Sequence, residues 1–219
     1  VTGTPILRLV TVSNRKDSQN MKEPVSPAFA AKDGGSSAGQ HEKILAMVQI
    51  ALFTAIIAVC SWIQIPLVVP FTLQTFGVFC ALAILGGKSG TISVLLYIVL
   101  GTIGVPVFAG FSGGIGTLLG MTGGYIIGFL FSALIYWGIT RWLGEKLPVM
   151  ILAMVLGLAA CYAFGTAWFM VVYTRQIGEI GLMASLTSCV FPFILPDCAK
   201  IALAILLAKR LPKRLIRRV

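Results

Sequence analysis

Asp197 and Lys200 are the charged side chains that fall unambiguously inside the hydrophobic spans of this chain, in the run Phe191-Pro-Phe-Ile-Leu-Pro-Asp-Cys-Ala-Lys-Ile-Ala-Leu-Ala. Three residues apart on a helix, they share a face and can meet. Ionisable groups at membrane depth are expensive, so they turn toward the interior or a cavity and mark a functional site. The carboxylate can accept from ligand N–H groups, and the ammonium can donate to a carbonyl or carboxylate. A competing reading is architectural. Asp197 follows Pro196 at an expected helix start, where a carboxylate complements the dipole, and Lys200 would then be its counter-ion.

Other chemistries find little support. The single histidine, His41, lies ahead of the first span, which removes a Ser–His dyad. An intramembrane aspartyl protease needs two aspartates, but only Asp197 sits in a span. There is no HExxH and no carboxylate cluster to hold a metal, and nothing calls for a cofactor. Gly87-Lys88-Ser89 looks like the end of a phosphate-binding P-loop, but the Gly required five residues earlier is Leu82 and no strand precedes it. The five cysteines (Cys60, Cys80, Cys161, Cys189 and Cys198) show no metal or disulfide spacing and read as small apolar residues.

The elements that position the pair are membrane spans. Of the 219 residues, 58% are hydrophobic and 11% charged, and the mean hydropathy is +0.96, beyond what a soluble domain of this length uses. At roughly 20 residues per span, there is room for about six. They are expected near Ile44–Trp62, Phe71–Leu85, Ser89–Ile103, Tyr125–Leu143, Pro148–Val172 and Phe193–Leu211. Residues 1–42, polar and rich in Ser, Gly and Lys, are expected to be a disordered cytoplasmic tail. Met21, the first methionine, is the expected natural start. Residues 43–212 form the transmembrane domain, and 213–219 a basic cytoplasmic tail.

The net charge of +10 does not point to nucleic acid, because the charge is segregated. Six Lys and Arg precede the first span, and six lie at the C-terminus, from Lys209 to Arg218. Lys88, Arg141 and Lys146 fall in alternate connections, while the intervening connections carry only Arg175 with Glu179. The positive-inside rule then places both termini in the cytoplasm and Asp197 and Lys200 near the exterior end of span six.

Residues 101–125 hold a glycine cluster that admits two readings. Gly116, Gly120 and Gly124 have small-xxx-small spacing for close helix packing. Alternatively, the stretch is an irregular loop whose bare backbone approaches a ligand, which is tolerated at membrane depth only beside protein or a cavity. The run Tyr162-Ala-Phe-Gly-Thr-Ala-Trp offers an aromatic cavity wall, with Phe164 and Trp168.

Four stretches together resemble the BioY family, the biotin-specific S components of energy-coupling factor (ECF) vitamin transporters. They are Val69-Pro-Phe-Thr-Leu-Gln-Thr-Phe, Tyr97-Ile-Val-Leu-Gly-Thr-Ile-Gly-Val-Pro-Val-Phe, Gly113-Gly-Ile-Gly-Thr-Leu-Leu-Gly-Met-Thr-Gly-Gly-Tyr and Pro192-Phe-Ile-Leu-Pro-Asp-Cys-Ala-Lys. The likeness covers about residues 45–210. It implies an all-α, six-helix S-component fold and biotin bound near the outer face, with Asp197 and Lys200 as polar contacts. The expected site adds Gln74, Ser112, Gly114 and Gly116, then Thr122, Tyr125, Phe164 and Trp168. The resemblance also implies docking, through small residues of span one (here Ala51 and Ala55), onto a transmembrane T subunit that carries two ATPases. Two positions depart from the family pattern. Met121 stands where relatives often have Pro, and Ile126 where some carry Arg. The contact to the biotin carboxylate is therefore open, with Ser112, Thr122 and Lys200 as candidates. Two other readings remain: an S component for a different vitamin, and a stand-alone carrier using Asp197 for protons.

Overall fold

The computed structural model describes residues 34–67 and 69–211, with side chains from residue 40 onward. The chain divides into two units, 1–41 and 42–219. In the first, the described residues 34–41 are helical; the second carries the helix bundle.

Among the described residues run seven α-helices: α1 (Gly34–Trp62), α2 (Gln74–Thr102), α3 (Ile115–Leu119), α4 (Gly123–Leu143), α5 (Leu147–Gln176), α6 (Leu182–Cys189) and α7 (Phe191–Arg210). A two-residue ribbon joins α1 to α2, with β1 (Gln64–Ile65) antiparallel to β2 (Phe71–Thr72). Among the described residues, five helical stretches are long and apolar enough to cross a membrane; the last, Leu182–Arg210, runs through α6 and α7.

α2 holds two of the expected spans. At Gly86 the backbone leaves the helix, with φ 81° and ψ 176°, a conformation open to glycine and costly for other residues. The arms on either side, of about 12 and about 16 residues or roughly 18 and 24 Å, fold back on each other. The Gln74 amide accordingly donates to the Tyr97 hydroxyl at 3.0 Å across 23 residues of sequence. This hairpin is the centre of the molecule. Its apolar window is 83% buried, against 22% for that of α1. The P-loop-like Gly87 lies in helix at this turn, close against Trp137 of α4.

α4 and α5 pack through small residues, as membrane helices must where lipid gives no hydrophobic drive to associate. A side chain built at Gly124 would meet Trp168, at Gly128 Cys161, at Gly157 Ser132, and at Gly165 the Tyr125 ring. The small-residue stripe is therefore Gly124–Gly128–Ser132 on α4 facing Gly157–Cys161–Gly165 on α5. It is not the stripe expected through Gly116, which has open space around it.

Two expectations need correction. Residues 34–42, expected in the tail, are helical, because extending a helix from an apolar run is far easier than nucleating one. The remaining tail residues, 1–33 and 213–219, lie outside those described. Further along, Pro196 sits inside α7, which begins at Phe191 and has no acidic residue in its first turn. Asp197 is therefore too deep to act on the helix N-terminus, and the dipole reading of the pair fails.

Candidate ligand-binding site

The start of α2, the loop before α4, and α4, α5 and α7 converge on one cavity. It encloses about 750 Å³ with its mouth included and is lined by residues of every one of these elements.

Its polar floor is built on the pair. Asp197 and Lys200 are 2% and 7% exposed, and Lys200 Nζ donates to Asp197 Oδ1 at 2.7 Å. Nζ also donates to the Thr72 carbonyl at 2.7 Å and to Thr75 Oγ1 at 2.9 Å, and sits 4.3 Å from the Phe71 ring centroid. The Thr75 hydroxyl donates to Asp197 Oδ1 at 2.9 Å, and the Tyr162 hydroxyl to Oδ2 at 2.6 Å. A buried ion pair is tolerable when further hydrogen bonds satisfy its remaining atoms, and here both partners have them.

One wall comes from the glycine-rich stretch, where the loop reading holds. The chain runs irregularly from Ile103, through a short 3-10 turn at Ala109–Phe111 and α3, to α4. α1 secures it: Ser61 Oγ donates to the Val107 carbonyl, Trp62 Nε1 to the Pro106 carbonyl at 3.0 Å, and the Trp62 ring stacks on Phe111 at 4.9 Å. Phe108, Ala109, Ser112, Thr117 and Thr122 of this stretch line the cavity. Opposite, the Tyr125 hydroxyl is paired with Thr166 Oγ1 at 3.0 Å. Ile126, Phe129, Cys161 and Phe193 add apolar surface.

Of the expected residues, Asp197, Lys200, Gln74, Ser112, Thr122 and Tyr125 come together around the cavity. Gly114, Gly116, Phe164 and Trp168 do not line it. Gly114 caps α3, and Gly116 is exposed. Phe164 packs between Phe131 and Trp168. Trp168 Nε1 donates to the Gly120 carbonyl at 3.0 Å, so it ties the loop to α5 without facing the cavity. The i,i+4 pair Phe164 and Trp168 thus marks a different edge of α5 from the cavity edge, which is Cys161 and Tyr162. Tyr162, the first residue of the run expected as an aromatic wall, does reach the cavity. Thr75 and Phe193 also line it; both lie in the stretches that carry the family resemblance, but neither is among the expected site residues.

A protein-family model described as the BioY family matches residues 31–217. The chain belongs to the BioY family. A biotin transporter BioY of Thermotoga maritima is 39% identical over 170 residues, covering 76% of this chain and 95% of the relative. A probable biotin transporter BioY of Pyrococcus horikoshii is 41% identical over 163 residues, covering 74% and 93%. A crystal structure of the S component for biotin from an ECF-type ABC transporter superposes with a TM-score of 0.70 at 30% identity, covering 81% of this chain and 98% of that one. This BioY chain is thus an all-α membrane protein of a transporter family rather than an enzyme family. Ile126 places an apolar side chain in the cavity wall, while Ser112, Thr122 and Lys200 all reach that wall.

Proposed function

We propose that the chain captures biotin from the outer side of the cytoplasmic membrane and delivers it inward as the substrate-binding S component of an ATP-driven ECF transporter. The observation that carries this reading is the network of the buried Asp197 and Lys200 with Thr75 and Tyr162 at the floor of a largely apolar cavity. The ureido ring of biotin offers two N–H donors and a carbonyl, and its thiophane ring is apolar. Asp197 accepts from N–H, and Lys200 donates to the carbonyl or to the valerate carboxylate. Charge-assisted bonds of this kind contribute roughly 1.5–3 kcal/mol each, and a cavity of this size suits a small-molecule ligand.

In this reading α1, the two arms of α2, α4, α5 and α7 each make one pass, six in all. Lys88, Arg141 and Lys146 fall in alternate connections between these passes, and the positive-inside rule supports a cytoplasmic side for those connections and for both termini. A transmembrane T subunit and two ATPases supply the energy. The exposed Ala51 and Ala55 on α1 leave a shallow face where another helix approaches closely.

A direct biotin titration on purified, folded protein tests the proposal. Saturable binding is expected. No binding, together with proton-dependent uptake in cells lacking any T subunit, would replace it with the stand-alone carrier.

A further inference from the structure

We propose that Thr75 is a positioning residue of the binding site, whose hydroxyl holds Asp197 and Lys200 in the arrangement that meets the ligand. The proposal rests on the biotin reading above and deepens it.

Thr75 stands in the first turn of α2 and lines the cavity, while the charged pair stands on α7. Its Oγ1 gives its one proton to Asp197 Oδ1 at 2.9 Å and accepts from Lys200 Nζ at 2.9 Å. With the 2.7 Å contact between Nζ and Oδ1, the three atoms close a triangle. A hydroxyl is the simplest group that can do this, because it donates and accepts at one atom. Valine, of nearly the same shape, can do neither.

An ammonium has three donors, and those of Lys200 go to Asp197, the Thr72 carbonyl and Thr75. A ligand oxygen therefore engages Lys200 by replacing one of these acceptors. Asp197 carries the opposing charge, and Thr72 offers a backbone carbonyl that needs a partner when buried. Thr75 is the least costly to replace, since it keeps its donor bond to Asp197 when it gives up its acceptor bond. The same hydroxyl thus fixes a long, rotamer-rich side chain and releases one of its donors to the ligand.

The test is calorimetric titration of biotin into the folded, monodisperse fraction of wild type, Thr75→Val and Thr75→Ser, with melting temperatures taken alongside. Wild type should bind. Thr75→Val should bind at least fivefold more weakly, and Thr75→Ser at least fivefold more tightly than Thr75→Val. A merely structural role lowers the melting temperature and leaves the affinity of the folded fraction unchanged, so a loss below fivefold in Thr75→Val overturns the proposal. So does failure of Thr75→Ser to recover binding, because the methyl group would then be what matters. If Thr75→Val yields no folded protein, Thr75→Ala replaces it under the same criteria. Absence of binding in wild type overturns the biotin reading and this proposal together, whereas binding in wild type with an unaffected Thr75→Val overturns this one alone.

Discussion

The Tyr162 hydroxyl donates to Asp197 Oδ2 at 2.6 Å, from α5 to α7, while Lys200 and Thr75 both bond the other carboxylate oxygen. Each Asp197 oxygen is thereby held from a different direction, and the side chain has one position. The network also explains how a chain this apolar keeps a full ion pair inside it: the pair is anchored to α2 and α5 as well as within α7.

Removing one member of a buried charge pair strands the other and typically costs about 3–5 kcal/mol. Asp197→Asn and Lys200→Met should each weaken biotin binding well over tenfold, measured by titration of folded protein. Tyr162→Phe deletes one donor to the charged carboxylate, a bond worth about 1.5–3 kcal/mol, and should weaken binding by about tenfold or more. Wild-type affinity in both pair variants would show that the pair holds helices rather than ligand.

Glycines should separate by surroundings rather than by their place in the sequence cluster. Gly128→Ala drives a methyl group to 2.8 Å from Cys161 Sγ and 3.1 Å from its Cα, and Gly86→Ala forces a side chain into a positive-φ conformation costing about 1–3 kcal/mol. Both should lower the melting temperature in detergent by several degrees. Gly116→Ala meets nothing within 4 Å and should melt like wild type. A destabilised Gly116→Ala would mean that the stretch packs as a helix stripe after all.

The Asp197–Lys200 pair and the apolar spans were legible in the sequence directly, because burying charge and burying backbone in lipid leave few solutions. The fold-back at Gly86 falls between the expected second and third spans. It was not legible as the device that brings Gln74 beside Tyr97, since a hydrogen bond across 23 residues leaves no local trace. Aromatic character points Phe164 and Trp168 at the cavity, but which edge of α5 faces inward is set by the glycine stripe against α4. Thr75 lies in the stretch Val69–Phe76 that carries the family resemblance, but its hydroxyl could not be tied to the pair, because its partners Asp197 and Lys200 are more than 120 residues away in sequence.

The proposed orientation rests on charge placement. Cysteines introduced at Ser112 and Gly178, with the five native cysteines replaced, should react with an impermeant thiol reagent added to intact cells. A cysteine at Glu145, beside Lys146 at the opposite end, should react only after permeabilisation. Labelling at Glu145 in sealed cells would invert the proposed topology and place the cavity on the cytoplasmic side.

Docking makes a prediction separable from binding. Ala51 and Ala55 are exposed, one turn apart on α1, whereas Thr54 turns to the core, where its hydroxyl bonds the Ser93 carbonyl at 3.1 Å. Neither alanine lines the cavity. Replacing both with Trp fills the shallow face without touching the site. Biotin affinity and melting temperature should therefore stay near wild type. ATP-driven uptake in cells carrying a T subunit and ATPases should fall to background, because a partner helix can no longer approach to small-residue distance. Parallel loss of binding and uptake would instead assign these alanines to the fold, and retained uptake would move the partner to another face.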